Sequence, residues 1–118
     1  MESVFLTRRQ RYKQIKAAIT DQGVIALYQP IIDSHSGQIF AVEALMRIEG
    51  HNGELIPPIE FIPLAEETRL IIPLGERMIQ YCFSQLRQWC DNGLDIRMCI
   101  NISSMLNNCR HTIKYGYN

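Results

Sequence analysis

Apolar and polar residues alternate with a period of two in the stretch from Phe40 to Ile48, which predicts a β-strand. Two further stretches, Val24–Ile32 and Asp95–Ile102, also predict strands. The first of them is almost continuously apolar, so burial of both of its faces is expected. Pro30 within it lacks a backbone donor and predicts an edge position or a turn.

Apolar residues recur every three or four positions in two other regions, which predicts helices. One runs from about Thr7 to Asp21, with Gly23 as the expected C-cap. The other runs from Pro73 to Asp91 and ends at Asn92-Gly93. Between them, Pro57-Pro58 is expected to open a shorter helix.

Strands and helices in this order predict an α/β fold. The polar segment Asp33–Gly37 joins the first two strands, so they are expected to be antiparallel neighbours. No period continues beyond Ser104. The predicted organisation is an N-terminal arm at 1–9, a domain at 10–104 and an irregular tail at 105–118.

Size and charge narrow the class of protein. The 118 residues are 47% hydrophobic, which suffices for one domain. Twelve basic and twelve acidic residues balance, so the composition does not favour binding to a nucleic acid polymer. No apolar run approaches the length of a membrane span. The four cysteines match no metal or disulfide framework, and we expect reduced thiols and a cytoplasmic location.

Glu43, Leu45 and Arg47 share one face of the predicted Phe40–Ile48 strand. One interpretation is a half-exposed strand that shows its charges to water. The other is an active-site strand whose carboxylate binds a hard cation and whose guanidinium binds a phosphate. Asn101 adds a polar residue near the carboxyl end of a strand, where barrel enzymes place functional groups. The histidines 35 and 51 and the pair Glu66-Glu67 are expected to be solvated.

Four segments of the sequence carry recognisable motifs. They are Tyr28-Gln-Pro-Ile31, Glu43-Ala-Leu-Met-Arg47, the run from Pro58 to Thr68, and Ile100-Asn-Ile-Ser103. Together they resemble the EAL domain of bacterial cyclic di-GMP phosphodiesterases. They occur in the family's order over roughly residues 10 to 104, and Glu43-Ala44-Leu45 is the motif that names the family.

The resemblance implies a TIM-like barrel of the EAL type, in which the first strand runs against the others. This chain would supply an N-terminal helix, an antiparallel strand pair, two helices and one further strand. By the same resemblance, Glu43 and Asn101 are ligands of Mg²⁺ or Mn²⁺. Gln29 and Arg47 contact cyclic di-GMP, and Leu45 forms part of the pocket wall.

Two departures from the family pattern matter. Arg69 stands where the family usually has glycine, which predicts a strained left-handed residue. In addition, a TIM-type barrel takes on the order of 250 residues. We therefore expect a truncated EAL domain that lacks the family's later metal ligands and is inactive alone.

Two other interpretations stay open. The first is a non-catalytic binding or interaction protein in cyclic di-GMP signalling or in biofilm and motility regulation. The second is the product of a prematurely terminated gene. In each case an open barrel edge is expected to favour self-association or a protein partner.

Overall fold

The computed structural model describes residues 6–101 and 110–113 of the chain. Helix α1 spans Arg8–Thr20, and the hairpin strands β1 and β2 span Val24–Ile32 and Ile39–Glu49. The short strand β3 is Leu55–Ile56. A 3₁₀ turn, Pro58–Glu60, leads into α2, Ile62–Glu67, and then into the long helix α3, Ile71–Asp91. Strands β4 and β5 are Arg97–Asn101 and Arg110–Ile113.

The strands form one mixed sheet in the order β1-β2-β4-β5, and β3 pairs with the end of β2. Strand β1 is antiparallel to β2, whereas β4 is parallel to β2. The first strand therefore runs against β2 and β4, as predicted, whereas the short strands β3 and β5 run in the same direction as β1. The partial α/β barrel is confirmed. Pro30 lies on β1, which is an edge strand of the sheet within the described residues, as its missing donor required.

The core lies between one face of the sheet and the helices. Ala44, Ile48, Met98 and Ile100 from the strands are almost fully buried. They belong to the same apolar cluster as the α3 stripe, whose buried members are Ile71, Leu74, Met78, Cys82 and Leu86. The helical period predicted Leu74, Met78, Cys82, Leu86 and Trp89 as this stripe; Ile71 lies before the predicted start of the helix, and Trp89 is half-buried. Burial of such side chains is the main term that holds α3 on the sheet.

Helix α1 begins and ends where the sequence predicted, but Gly23 has a different role. Thr7 and Gln10 form a capping box at the N-terminus, and Asp21 is the C-cap. Gln22, not Gly23, takes the left-handed conformation with φ +59°. A Cβ on Gly23 would lie 3.1 Å from the Cα of Ala18, so close packing, and not its own dihedral angles, favours glycine at this position.

Burial of both faces of β1 was a wrong prediction. Leu27 is 40% exposed, because the face of β1 turned away from the helices is uncovered within the described residues. Ile32, at the end of the strand and past the irregularity in its pairing with β2, is 54% exposed. Every second residue packs on the helices instead, as Val24 and Ala26 show.

Other element boundaries also differ. Helix α3 starts two residues before Pro73, which fits because proline is tolerated in a first helical turn. Strand β4 starts at Arg97 and not at Asp95. Its predicted end, Ile102, lies outside the described residues. Strand β5 occupies part of the segment that was predicted to be irregular, because pairing with β4 compensates for its lack of an apolar period. The remainder of that tail and residues 1–5 lie outside the described residues.

Arg69 has φ +66° between α2 and α3, as its position in the sequence predicted. Arg69→Gly is expected to raise the free energy of unfolding by about 0.5–1 kcal/mol. A residue with a Cβ strains this conformation, and the greater freedom of glycine in the unfolded chain offsets part of the gain. Urea unfolding measures the change. Arg69→Ala, which keeps the Cβ, is the matched control and should bring no gain; an equal gain in both variants would contradict the argument.

The hydroxyl of Tyr28 is buried under α3 and has no hydrogen-bond partner among the described residues. Its ring packs edge-on against Trp89, with the centroids 5.0 Å apart. Burial, with a smaller contribution from Cys82 and Tyr81, raises the pKa of Tyr28 above its usual range. Burial also raises the pKa of the Cys82 thiol to about 12.

Two consequences follow for stability. Tyr28→Phe is expected to raise the free energy of unfolding at neutral pH by about 1 kcal/mol, since an unpaired buried hydroxyl is removed. In the wild type, stability is expected to fall as the pH rises above 9.0, the ordinary pKa of cysteine, because the unfolded chain then loses protons that the native chain retains.

Urea unfolding from pH 7 to pH 11 tests both consequences, with Tyr12→Phe as the control. Tyr28→Phe should show a shallower loss of stability at alkaline pH than the wild type and the control. A destabilised Tyr28→Phe with an unchanged pH profile would show that the hydroxyl is satisfied in solution.

Candidate functional site

One face of the sheet is turned away from the helices and carries the chemistry predicted from the sequence. Met98 and Ile100 point into the core, so the residue between them, Cys99, lies on the opposite side. The same alternation on β1 and β2 defines the open face, which consists of Ile25, Leu27, Gln29, Glu43, Leu45, Arg47 and Cys99.

Gln29, Glu43 and Cys99 form a row across three strands. Gln29 is the Cα partner of Glu43 in the antiparallel pair, and Cys99 is its Cα partner in the parallel pair. Neighbouring strands are about 4.8 Å apart, so an amide, a carboxylate and a thiol are near neighbours on this face. Glu43 and Cys99 are each half-buried, while Gln29 is exposed.

Leu45 and Arg47 continue the open face toward the carboxyl end of β2. Leu45 pairs with Leu27, and Arg47 pairs with Ile25. The guanidinium Nη1 of Arg47 donates a hydrogen bond to the carbonyl oxygen of Met46 at 2.8 Å. Because the rise per residue is about 3.4 Å, Arg47 and Glu43 are about 13 Å apart along the strand.

Asn101 is the last residue of β4, one step beyond the Ala44–Ile100 pair, and its backbone pairs with Arg110. The fold thus brings it to the same region of the sheet as Glu43 and Leu45. The described residues contain no group of three or more histidine, cysteine or acidic side chains that could hold a metal. The ligand role of Glu43 stays a prediction.

The remaining candidates lie elsewhere. His35 is exposed in the hairpin turn, where its backbone N–H donates to Asp33 at 2.8 Å. His51 is exposed in the turn after β2. Glu67 forms an exposed ion pair with Arg8. The structure therefore assigns none of them to the open face.

Cys99 is the member of the row that residue chemistry alone did not single out. Alternation along β4 places it on the same face as the strand's polar positions, but only the register of the sheet shows that it lies beside Glu43.

Within the described residues, no helix is both long and apolar enough to cross a bilayer.

Comparison with known proteins agrees with this geometry. The family model described as the EAL domain matches residues 12–114. The chain belongs to the EAL domain family. The EAL match includes the whole sheet described above and extends past residue 104, where the apolar pattern in the sequence ends.

Two curated EAL relatives are informative. The chain is 38% identical over 85 residues to a cyclic di-GMP phosphodiesterase of Pseudomonas aeruginosa, a match that covers 72% of this chain and 14% of that protein. It is 37% identical over 90 residues to the cyclic di-GMP phosphodiesterase PdeR of Escherichia coli, which covers 76% and 14% of the two proteins. The chain thus spans about one seventh of the length of these relatives.

Solved EAL structures share the fold. The phosphodiesterase PaMucR in complex with c-di-GMP superposes with a TM-score of 0.65 at 36% identity, over 71% of this chain and 34% of that one. The FimX EAL domain of Pseudomonas aeruginosa bound to c-di-GMP gives a TM-score of 0.58 at 26% identity, over 66% and 32%. The chain therefore spans about one third of these structures.

Proposed function

We propose that this chain contributes the first part of a cyclic di-GMP binding site, in a domain whose complete form hydrolyses cyclic di-GMP to the linear dinucleotide. The observation that carries the proposal is the open face, which groups an amide, a carboxylate, an apolar wall and a guanidinium on neighbouring strands. Membership of the EAL family and relatives named as cyclic di-GMP phosphodiesterases support it.

The nucleotide would bind along β2. The guanidinium of Arg47 offers a planar fork of donors that suits a phosphate, once its hydrogen bond to the carbonyl oxygen of Met46 is broken. Leu45 and its cross-strand partner Leu27 offer an apolar wall for a base. Gln29 offers an amide beside Glu43. The positions of Glu43 and Arg47 are about 13 Å apart along β2, a distance that suits an extended ligand with two phosphates.

Glu43 and Asn101 are the residues that would hold Mg²⁺ or Mn²⁺. Carboxylate and amide oxygens are hard donors and fit such ions. When bound, divalent cations in hydrolases activate water and neutralise charge on a phosphate. The part of this chain in that chemistry is to bind and orient: Glu43 at the cation, Arg47 at the phosphate.

We further propose that these 118 residues alone do not turn over the nucleotide. A two-metal reaction needs both ions held so that attacking and leaving oxygens are stabilised together. Glu43 and Asn101 are too few donors for two ions. This small number of donors also favours the alternative function, a non-catalytic binding or interaction protein in cyclic di-GMP signalling.

Calorimetric titration with cyclic di-GMP in the presence of Mg²⁺, Mn²⁺ or Ca²⁺ tests the proposal, with assay of the product in the same samples. Saturable binding is expected in the wild type. Arg47→Ala and Glu43→Ala should weaken it by about tenfold or more, since charge-assisted contacts are lost. No linear dinucleotide is expected in any sample.

Arg87→Ala and Glu76→Ala are matched controls, because both side chains are exposed on α3, away from the open face. They should bind like the wild type. Absence of binding by folded wild type would refute the nucleotide site, and turnover would refute the claim that further ligands are required.

We also propose that the open face and the free edge of β1 recruit a second polypeptide, either another copy or a protein partner. Leu27 and Ile32 are exposed on β1, and Ile39 and Phe40 are exposed at the start of β2. Unpaired strand edges and contiguous apolar patches favour association. Reduced thiols and a cytoplasmic setting are part of this proposal.

Sedimentation velocity over a range of concentrations tests the association. The wild type is expected to self-associate, and Leu27→Lys to shift the equilibrium toward monomer, because a charge is buried at the contact. Phe83→Lys, at a similarly exposed residue of α3, is the control and should behave like the wild type. A compact wild-type monomer at high concentration would count against self-association.

A further inference from the structure

We infer that Cys99 is a selectivity-determining ligand beside Glu43, and that it shifts the cation position of the open face toward thiophilic divalent ions. The inference rests on the proposed cation role of Glu43 and adds a second donor of different chemistry. It predicts cobalt and zinc binding through a thiolate, in addition to the hard cations expected from oxygen donors.

The position of Cys99 carries the inference. Its Cα is the direct partner of the Glu43 Cα in the parallel β2–β4 pair. Met98 and Ile100 on either side of it are 0% and 1% exposed, so Cys99 is held on the opposite side of the strand, with Glu43. Both residues are half-buried, so each is partly exposed to solvent.

The distances between neighbouring strands fit a shared ion. Neighbouring strands lie about 4.8 Å apart, and Glu43 and Cys99 are Cα partners on the same face of two such strands. A zinc-type ion binds sulfur at about 2.3 Å and carboxylate oxygen at about 2.1 Å, so one ion can lie between the two side chains. The amide of Gln29, on the other side of Glu43, is a further oxygen donor in the same row.

Ligand softness then determines the order of preference. Magnesium and calcium ions take oxygen ligands and gain nothing from sulfur, whereas zinc and cobalt ions bind thiolate strongly. Replacement of Cys99 should therefore change affinities for the two classes of ion unequally. The other described cysteines do not share this position: Cys82 is in the core, and Cys90 lies on α3.

Cobalt(II) is the probe, because thiolate coordination gives a charge-transfer absorption in the near ultraviolet. Titration of the full chain with Co²⁺, without nucleotide, is expected to develop this band in the wild type. Cys99→Ser and Glu43→Gln should each abolish it or weaken Co²⁺ binding by about tenfold or more. Cys90→Ser and Cys109→Ser should retain it. Mg²⁺ binding, measured by calorimetry, should be unchanged in Cys99→Ser.

Each other outcome overturns the inference. A wild type without the band shows that no thiolate ligand forms. A band that survives in Cys99→Ser assigns the ligand to another cysteine. A band that is lost in Cys99→Ser but kept in Glu43→Gln shows that the thiol and the carboxylate do not share an ion.

Circular dichroism of each variant separates loss of a ligand from loss of fold. Because the band is read without nucleotide, the result is also independent of cyclic di-GMP binding. A failed nucleotide titration with an intact cobalt band would reject the proposed function and leave the mixed-donor site standing.

Discussion

The register of the β1–β2 hairpin determines where four of the candidate functional side chains lie, Gln29, Glu43, Leu45 and Arg47. Gln29 faces Glu43, and Leu27 faces Leu45, only because the two strands pair in one alignment. Side chains alternate with a period of two, so a slip by one residue would turn Glu43, Leu45 and Arg47 into the core and bring Ala44 and Ile48 to the surface. Burial of those apolar residues therefore also fixes the site.

The turn between the strands helps to fix this alignment. The N–H of Gly37 donates to the Asp33 carbonyl, and the N–H of Asp33 donates to the Gln38 carbonyl, both at 2.8 Å. Gly37 has φ +74°, which glycine adopts without strain. An irregularity in the pairing at Ile31 and Ile32 takes up the remaining offset. Turn chemistry and core burial thus favour the same register.

Local patterns in the sequence were sufficient for the parts of the fold that depend on local physics. Alternation predicted β2 and the common face of Glu43 and Arg47, and the Asn92-Gly93 pair predicted the end of α3. The role of Gly23 depends on its packing against Ala18, and the exposure of Leu27 depends on what covers the open face, so neither follows from local pattern. Strand β5 forms only through pairing with β4. The proximity of Cys99 to Glu43 likewise depends on a register between strands that are far apart in the sequence.

The reversed direction of β1 has a consequence for the order of folding. Gln29, Glu43, Leu45 and Arg47 all lie on one hairpin, whose contacts are short-range in sequence. Cys99 and Asn101 reach the same region only after the chain has passed through α2 and α3. Because closure of long loops is slower than formation of a hairpin, the part of the open face that β1 and β2 contribute is expected to assemble first. In kinetic terms, the open face is then expected to be completed by the late docking of β4 onto a hairpin that already exists.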